Sequence, residues 1–259
     1  LVLIAVDIGN SKINIGYFTE MGLLVQQVET NPLRGAEEYR RLMDDFMSRS
    51  RIEKKRGIGG IISSVVLSHN RTLQDALKKL TEEEDAAVMI VDFRMETGLN
   101  LKVDEPDKLG TDRIADAVAA DALYLPPVAV ADFGTATTIT AVDREHNLIG
   151  GSIMPGLGLM NSALGREAYL LHEVALEPPV SALGADTEGC IRAGLYFGTA
   201  GAVERILSEI EKEAGCPFRL VLTGGHALAM DRFITRQHEV NPELTLEGLR
   251  ILYGKNRSS

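Results

Sequence analysis

Cysteine is scarce: only Cys190 and Cys216 occur among 259 residues, and no CxxC pair is present. That excludes a disulfide scaffold and a thiolate metal site. The five histidines, His69, His146, His172, His226 and His238, show no ligand spacing, so an imidazole metal site is not indicated either. Positive charge is also in deficit. Twenty-seven basic residues against 37 acidic ones leave a net charge of −10, which argues against a nucleic-acid surface. It does not argue against a nucleotide, because backbone amides and a cation can hold a triphosphate on an acidic protein. Long apolar runs are missing as well. Leu1–Val6 is apolar, but no basic region precedes it and Asp7 interrupts it, so it reads as neither signal peptide nor membrane span. A cytoplasmic location without a membrane partner is expected, and the N-x-[ST] triplets at Asn70 and Asn256 are read as chance.

Several nucleotide motifs are absent too. There is no G-x-x-x-x-G-K-[ST] loop, and Gly156-Leu157-Gly158 reaches Asn161 where a dinucleotide fingerprint needs glycine. Asp132-Phe133-Gly134 spells a protein-kinase triplet without the kinase motifs that accompany it.

What is present is an ordinary globular composition, 45% hydrophobic and 25% charged, in a chain long enough for two cores. Disorder is expected only over Gly254 to Ser259. The chain also repeats itself. Leu3-Ile4-Ala5-Val6-Asp7-Ile8-Gly9-Asn10-Ser11 is matched, 125 residues on, by Val128-Ala129-Val130-Ala131-Asp132-Phe133-Gly134-Thr135-Ala136. The same offset aligns Glu20 with Glu145, Leu23 with Leu148 and Leu24 with Ile149, so the match reads as gapless. Each copy predicts strand, Asp-x-Gly turn, strand (Ile13–Phe18, Thr138–Val142), turn and third strand.

Between and after the copies, helices alternate with strands. Ala36–Met47 carries Tyr39, Leu42, Met43, Phe46 and Met47 at helical spacing. Ile58–Leu67 reads as a strand, Ser68 as the cap of a helix through Leu80, and Ala86–Val91 as another strand. The acidic run Glu82–Asp85 reads as a solvated helix end. Leu109–Leu125 predicts a hinge helix with a small-residue face, Cys190–Ala214 a long helix, and Phe218–Leu222 a strand ending at Thr223-Gly224-Gly225, with a short helix and tail beyond. Three strands followed by alternating helices and strands is the order of a ribonuclease H-like α/β domain. Two of them, residues 1–115 and 116–259, make an actin-like fold with an active site expected in the interdomain cleft.

The two Asp-x-Gly turns carry the chemistry. Glycine lets backbone N–H groups approach a phosphate, and an aspartate at the mouth of the turn can hold a hydrated Mg²⁺. Asp7-Ile8-Gly9-Asn10-Ser11-Lys12 is the first such turn. Asp132-Phe133-Gly134-Thr135-Ala136-Thr137-Thr138 is the second. Gly150–Gly165 reads as a loop and helix start shaping a substrate pocket.

In order, D-x-G-N-S at Asp7, Gly110-Thr111-Asp112-Arg113, D-x-G-T-A-T-T at Asp132 and Gly150-Gly151-Ser152-Ile153-Met154-Pro155-Gly156 resemble the motif series of type III pantothenate kinases. The similarity spans about Val2 to Leu252. The resemblance implies ATP-dependent phosphorylation of pantothenate to 4'-phosphopantothenate, the first step of coenzyme A biosynthesis, by a homodimer using Mg²⁺ and a monovalent cation, K⁺ or NH₄⁺. It implies ATP contacts along Asp7, Ile8, Gly9, Asn10, Ser11, Lys12, Ile13 and Asn14 and at Thr135. Asp7 would face Mg²⁺ through water. Pantothenate would lie against Gly110, Thr111, Asp112, Arg113 and Thr187, the last across the dimer interface. Asp112 would accept the proton and Asp132 would hold the monovalent cation. Two departures stand out. Val103 occupies the place of a tyrosine common in the family, and Lys12 stands where a small or polar residue is usual, reaching a phosphate or simply solvated. Another small-molecule kinase of the same fold and a non-catalytic accessory factor in gene regulation are the competing readings. The intact Asp7, Asp112 and Asp132 weigh against the second.

Overall fold

The computed structural model describes residues 2–53, 58–81 and 88–257. Two compact units account for the chain: Leu1–Gly98 with Glu105–Ala119 and Thr245–Ser259, and Leu99–Asp104 with Ala120–Leu244.

The first unit holds a sheet of order β3-β2-β1-β4-β5. Its strands are β1 (Val2–Ile8), β2 (Lys12–Thr19), β3 (Gly22–Glu29), β4 (Ile58–Ser64) and β5 (Val88–Ile90). The first three form an antiparallel meander, and β4 and β5 join in parallel. β1 and β4 are buried along almost their whole length, which is why both read as continuous apolar runs. Helices α1 (Ala36–Arg49) and α2 (Asn70–Thr81) turn Tyr39, Met43, Met47, Leu73, Ala76 and Leu77 into a core with Ile4, Val6, Ile13 and Ile15. Ser68 does not cap α2: a short 3₁₀ turn, Leu67–His69, intervenes and the helix starts at Asn70. The acidic run Glu82–Asp85 lies outside the described residues.

The second unit repeats the order. β9 (Asn147–Pro155), β8 (Ala136–Val142), β7 (Val128–Phe133), β10 (Arg219–Thr223) and β11 (His238–Val240) follow the same 3-2-1-4-5 pattern, with the two-residue β6 (Asn100–Leu101) added beside β9. The repeat is not gapless, however. Asp7 faces Asn14, whereas Asp132 faces Thr138, one residue short of the equivalent partner. The cause is the turn. Gly9 N–H donates to the Lys12 carbonyl, but Gly134 N–H donates to that of Ala136, so the second connection is one residue tighter.

Helix α3 (Thr111–Tyr124) follows Gly110, and α4 (Leu157–Glu167) follows β9 directly. Gly150–Gly165 is therefore mostly strand and helix, not loop. The long α5 (Thr187–Ala214) starts at Asp186, whose carboxylate caps Gly189 N–H at 2.7 Å, and stops at Gly215 with a left-handed φ of 69°. After α6 (Ala227–Met230), the expected tail is the helix α7 (Leu244–Asn256). It places Leu244, Leu246, Leu249 and Leu252 in buried positions, so order extends through Gly254 to Asn256. Among the described residues, no helix is long and apolar enough to cross a membrane.

Candidate functional site

Asp7 is the penultimate residue of β1, where a parallel arrangement with β4 sets it beside Ser63. Its carboxyl is pushed up to about 7, first by burial and then by the like charge of Asp112; hydrogen bonds from Ser63 and Asn14 pull the other way. The turn that follows is braced: the Thr30 hydroxyl donates to the Gly9 carbonyl at 2.7 Å, and Thr30 N–H donates to that of Ser11 at 3.1 Å. The Lys12 ammonium donates to Gln27 Oε1 at 3.4 Å on the exposed face of the hairpin, and Gln27 in turn donates to Asn14 Oδ1.

Asp112 is brought to the same end of the sheet by a tie between elements 47 residues apart in sequence. The Thr111 hydroxyl accepts from Ser64 N–H at 2.9 Å, bonds the Ser64 carbonyl at 3.2 Å, and lies 3.0 Å from the Ser63 hydroxyl. Ser63 thus links Thr111 to Asp7. The Asp112 carboxylate accepts Arg113 N–H at 2.7 Å. Burial raises its pKa, against the opposing pull of that N–H and of the Arg113 guanidinium. Arg113 is itself lowered by burial, with Asp112 and Asp116 acting in the other direction. Asp116 also anchors α7, accepting from the Thr245 hydroxyl at 2.7 Å. Sequence reasoning missed Ser63 and Ser64. The only signal was a polar pair closing an otherwise apolar strand.

In the second unit, the loop Asp132–Thr135 lies between two backbone segments. On one side Gly224, at φ +90°, comes so close that a Cβ there would sit 2.0 Å from Asp132 Oδ1. Only glycine fits that conformation and that approach. Thr223, in register with Asp132 on β10, is fully buried, and its hydroxyl has no hydrogen-bond partner among the described residues. On the other side Gly156 N–H donates to the Thr135 carbonyl at 3.0 Å. Thr187 opens α5 and lines a largely apolar groove of about 960 Å³ with Leu164, Leu171, Ile191 and Leu195. Val103 is partly buried in the bend after β6 and offers no hydroxyl.

Among the described residues no group of three or more His, Cys, Asp or Glu side chains could hold a metal. The donor sets are smaller. Asp7 with Asp112 and the Ser63 hydroxyl is a hard-oxygen set carrying an excess of negative charge, which suits Mg²⁺ through water. Asp132, with an orphaned buried hydroxyl beside it, suits one weakly hydrated cation.

This architecture, two Asp-x-Gly turns with Gly110–Arg113 tied to the first, can be compared with known proteins. The sequence profile described as type III pantothenate kinase matches residues 3–209. A protein named type III pantothenate kinase from Brevibacillus brevis is 35% identical over 99% of this chain and 100% of its own. The chain belongs to the type III pantothenate kinase family. Its α/β fold is the actin-like one shared with sugar kinases. A conserved putative Baf family transcriptional activator from Campylobacter jejuni has a TM-score of 0.61 at 18% identity, each chain covered completely. A putative 2-dehydro-3-deoxygalactonokinase from Sinorhizobium meliloti has a TM-score of 0.55 at 14% identity, covering 96% of this chain and 95% of its own. At those identities the likeness is one of fold, and the family assignment rests on the sequence matches.

Proposed function

We infer that this chain transfers the γ-phosphoryl group of ATP to the primary hydroxyl of pantothenate, giving 4'-phosphopantothenate and ADP. Family membership over most of the chain supports the reaction. The observation that carries the assignment of roles is the Asp7–Asp112 pair, two carboxyls raised by burial and linked through Ser63 and Thr111.

Each of two ribonuclease H-like domains contributes one phosphate loop. Asp7 to Asn14 and Thr135 contact ATP. Gly110, Thr111, Arg113 and Thr187 position pantothenate, with Thr187 reaching the substrate in a homodimer. Asp112 takes the proton as the hydroxyl oxygen attacks the γ-phosphorus in line and ADP departs. A buried carboxylate whose pKa is raised is a better acceptor for that proton than an exposed one. Asp7 would hold the Mg²⁺ through water, and the ion when bound offsets charge on the phosphoryl oxygens. Asp132 would hold K⁺ or NH₄⁺. Gly9, Ser11 and Thr135 supply backbone close to the phosphates, and Arg113 keeps Asp112 ionised.

A coupled ADP-release assay tests the reading. ADP should form only when pantothenate accompanies Mg·ATP. ADP release that ignores pantothenate but responds to a sugar alcohol would overturn it.

A further inference from the structure

The start of α4 bears on the second phosphate loop. Gly156 adopts an extended conformation (φ −74°, ψ 170°) that any residue tolerates, so its backbone angles do not demand glycine. Its surroundings do. A Cβ at Gly156 would lie 2.3 Å from the Gly134 carbonyl oxygen and 2.5 Å from that of Thr135. Both are backbone atoms, which cannot swing aside as a side-chain end can. The loop cannot retreat either, because Gly224 packs on its far side against Asp132 and against the backbone of Phe133, whose carbonyl also accepts His226 N–H at 3.1 Å. Two residues further along α4, Gly158 is exposed and has nothing within 4 Å of a Cβ. The crowding belongs to one position of the motif, not to the glycine-rich stretch as a whole.

We propose that Gly156 is a positioning residue for nucleotide binding: it sets the height and tilt of the Gly134–Thr135 peptides by direct backbone contact and by its N–H bond to Thr135. The proposal rests on Thr135 contacting ATP. A methyl group at 156 displaces those peptides, and displacement of binding groups by a fraction of an ångström to an ångström costs roughly 10- to 100-fold.

The test is calorimetric titration of a non-hydrolysable ATP analogue with Mg²⁺, and separately of pantothenate, against wild type, Gly156→Ala, Gly158→Ala and Thr135→Ala. Gly156→Ala should weaken the nucleotide roughly 10- to 100-fold and leave pantothenate affinity within a factor of about two, while Gly158→Ala behaves as wild type toward both. Nucleotide affinity unchanged in Gly156→Ala, or lost equally in Gly158→Ala, would overturn the proposal. If Thr135→Ala leaves nucleotide affinity untouched, it is the underlying assignment of Thr135 that fails. Should Gly156→Ala not fold, amide exchange of the wild-type protein decides. Nucleotide bound at Thr135 makes opening of the loop rarer, so exchange of the Gly156 amide should slow on adding the analogue, and an exchange rate indifferent to nucleotide overturns the role.

Discussion

At the scale of single residues the site is defined by where two carboxyls sit relative to water and to each other. Asp112 lies in the first turn of α3 with its oxygen on the next backbone N–H, a position in which it could serve the helix alone. Asp112→Asn separates the roles. As the proton acceptor it should contribute ~10²–10⁴-fold to turnover while leaving ATP affinity nearly intact. Steady-state kinetics with unchanged kcat in the variant would return Asp112 to a helix-stabilising role. Asp7 has a signature of its own in stability. An acid whose pKa is higher folded than unfolded leaves the native state holding more protons between the two values, so stability falls as pH rises through that window. For Asp7 the window runs from 3.8 to about 7. In the ligand-free protein Asp7 should therefore contribute a loss of stability from pH 4 to 7, and Asp7→Asn should remove that contribution from the pH profile and be the more stable form at pH 8. Thermal melts of both proteins across this range would show it, and parallel profiles would mean that Asp7 is not desolvated. The same variant should use Mg·ATP poorly.

At the scale of elements, α3 and α7 meet more closely than side chains allow. A Cβ on Gly248 would lie 1.9 Å from the Ala115 carbonyl oxygen. Gly248→Ala improves helix propensity by ~1 kcal/mol but forces overpacking against backbone, costing ~1–3 kcal/mol or more. The second effect wins, so the urea midpoint should fall; a rise would show that the helices can separate freely. α7 also marks the limit of legibility. Tyr39, Met43 and Met47 announced α1, and the long period of α5 was plain, because those patterns are local. In α7, glycines at 248 and 254 dilute the apolar pattern of Leu246, Leu249 and Leu252, and its burial comes from partners far away in sequence. β6 is two residues long and invisible without Asn147 and Leu148 to pair with. The repeated Asp-x-Gly turns gave away both strand–turn–strand hairpins. The Ser63–Thr111 tie did not show, since hydroxyls 48 residues apart meet only once β4 and α3 are folded.

At the scale of the whole molecule, a net charge of −10 means that ATP approaches against a repelling field, so added salt raises encounter by screening alone. Cation identity has to be tested at fixed ionic strength. Replacing Na⁺ by K⁺ or NH₄⁺ should raise the rate, and Asp132→Ala should abolish the difference. A wild-type enzyme indifferent to the cation would leave Asp132 as a phosphate-loop residue or a second Mg²⁺ ligand.

The order of synthesis adds a constraint. The first unit takes its last piece from Thr245 onward. Leu246 packs on Gly16 in β2, Tyr253 on Gly59 in β4, and Asn256 hydrogen-bonds to Glu96. Domains generally fold in the order in which they leave the ribosome. Here the unit translated first must wait, with β2 and β4 partly uncovered, until all of the second unit has been made. A nascent chain stalled just before Thr245 would carry an unfinished first unit and a second unit whose residues are all present, so a chaperone that shields exposed apolar strands would be expected to hold the amino-terminal half of this protein longest.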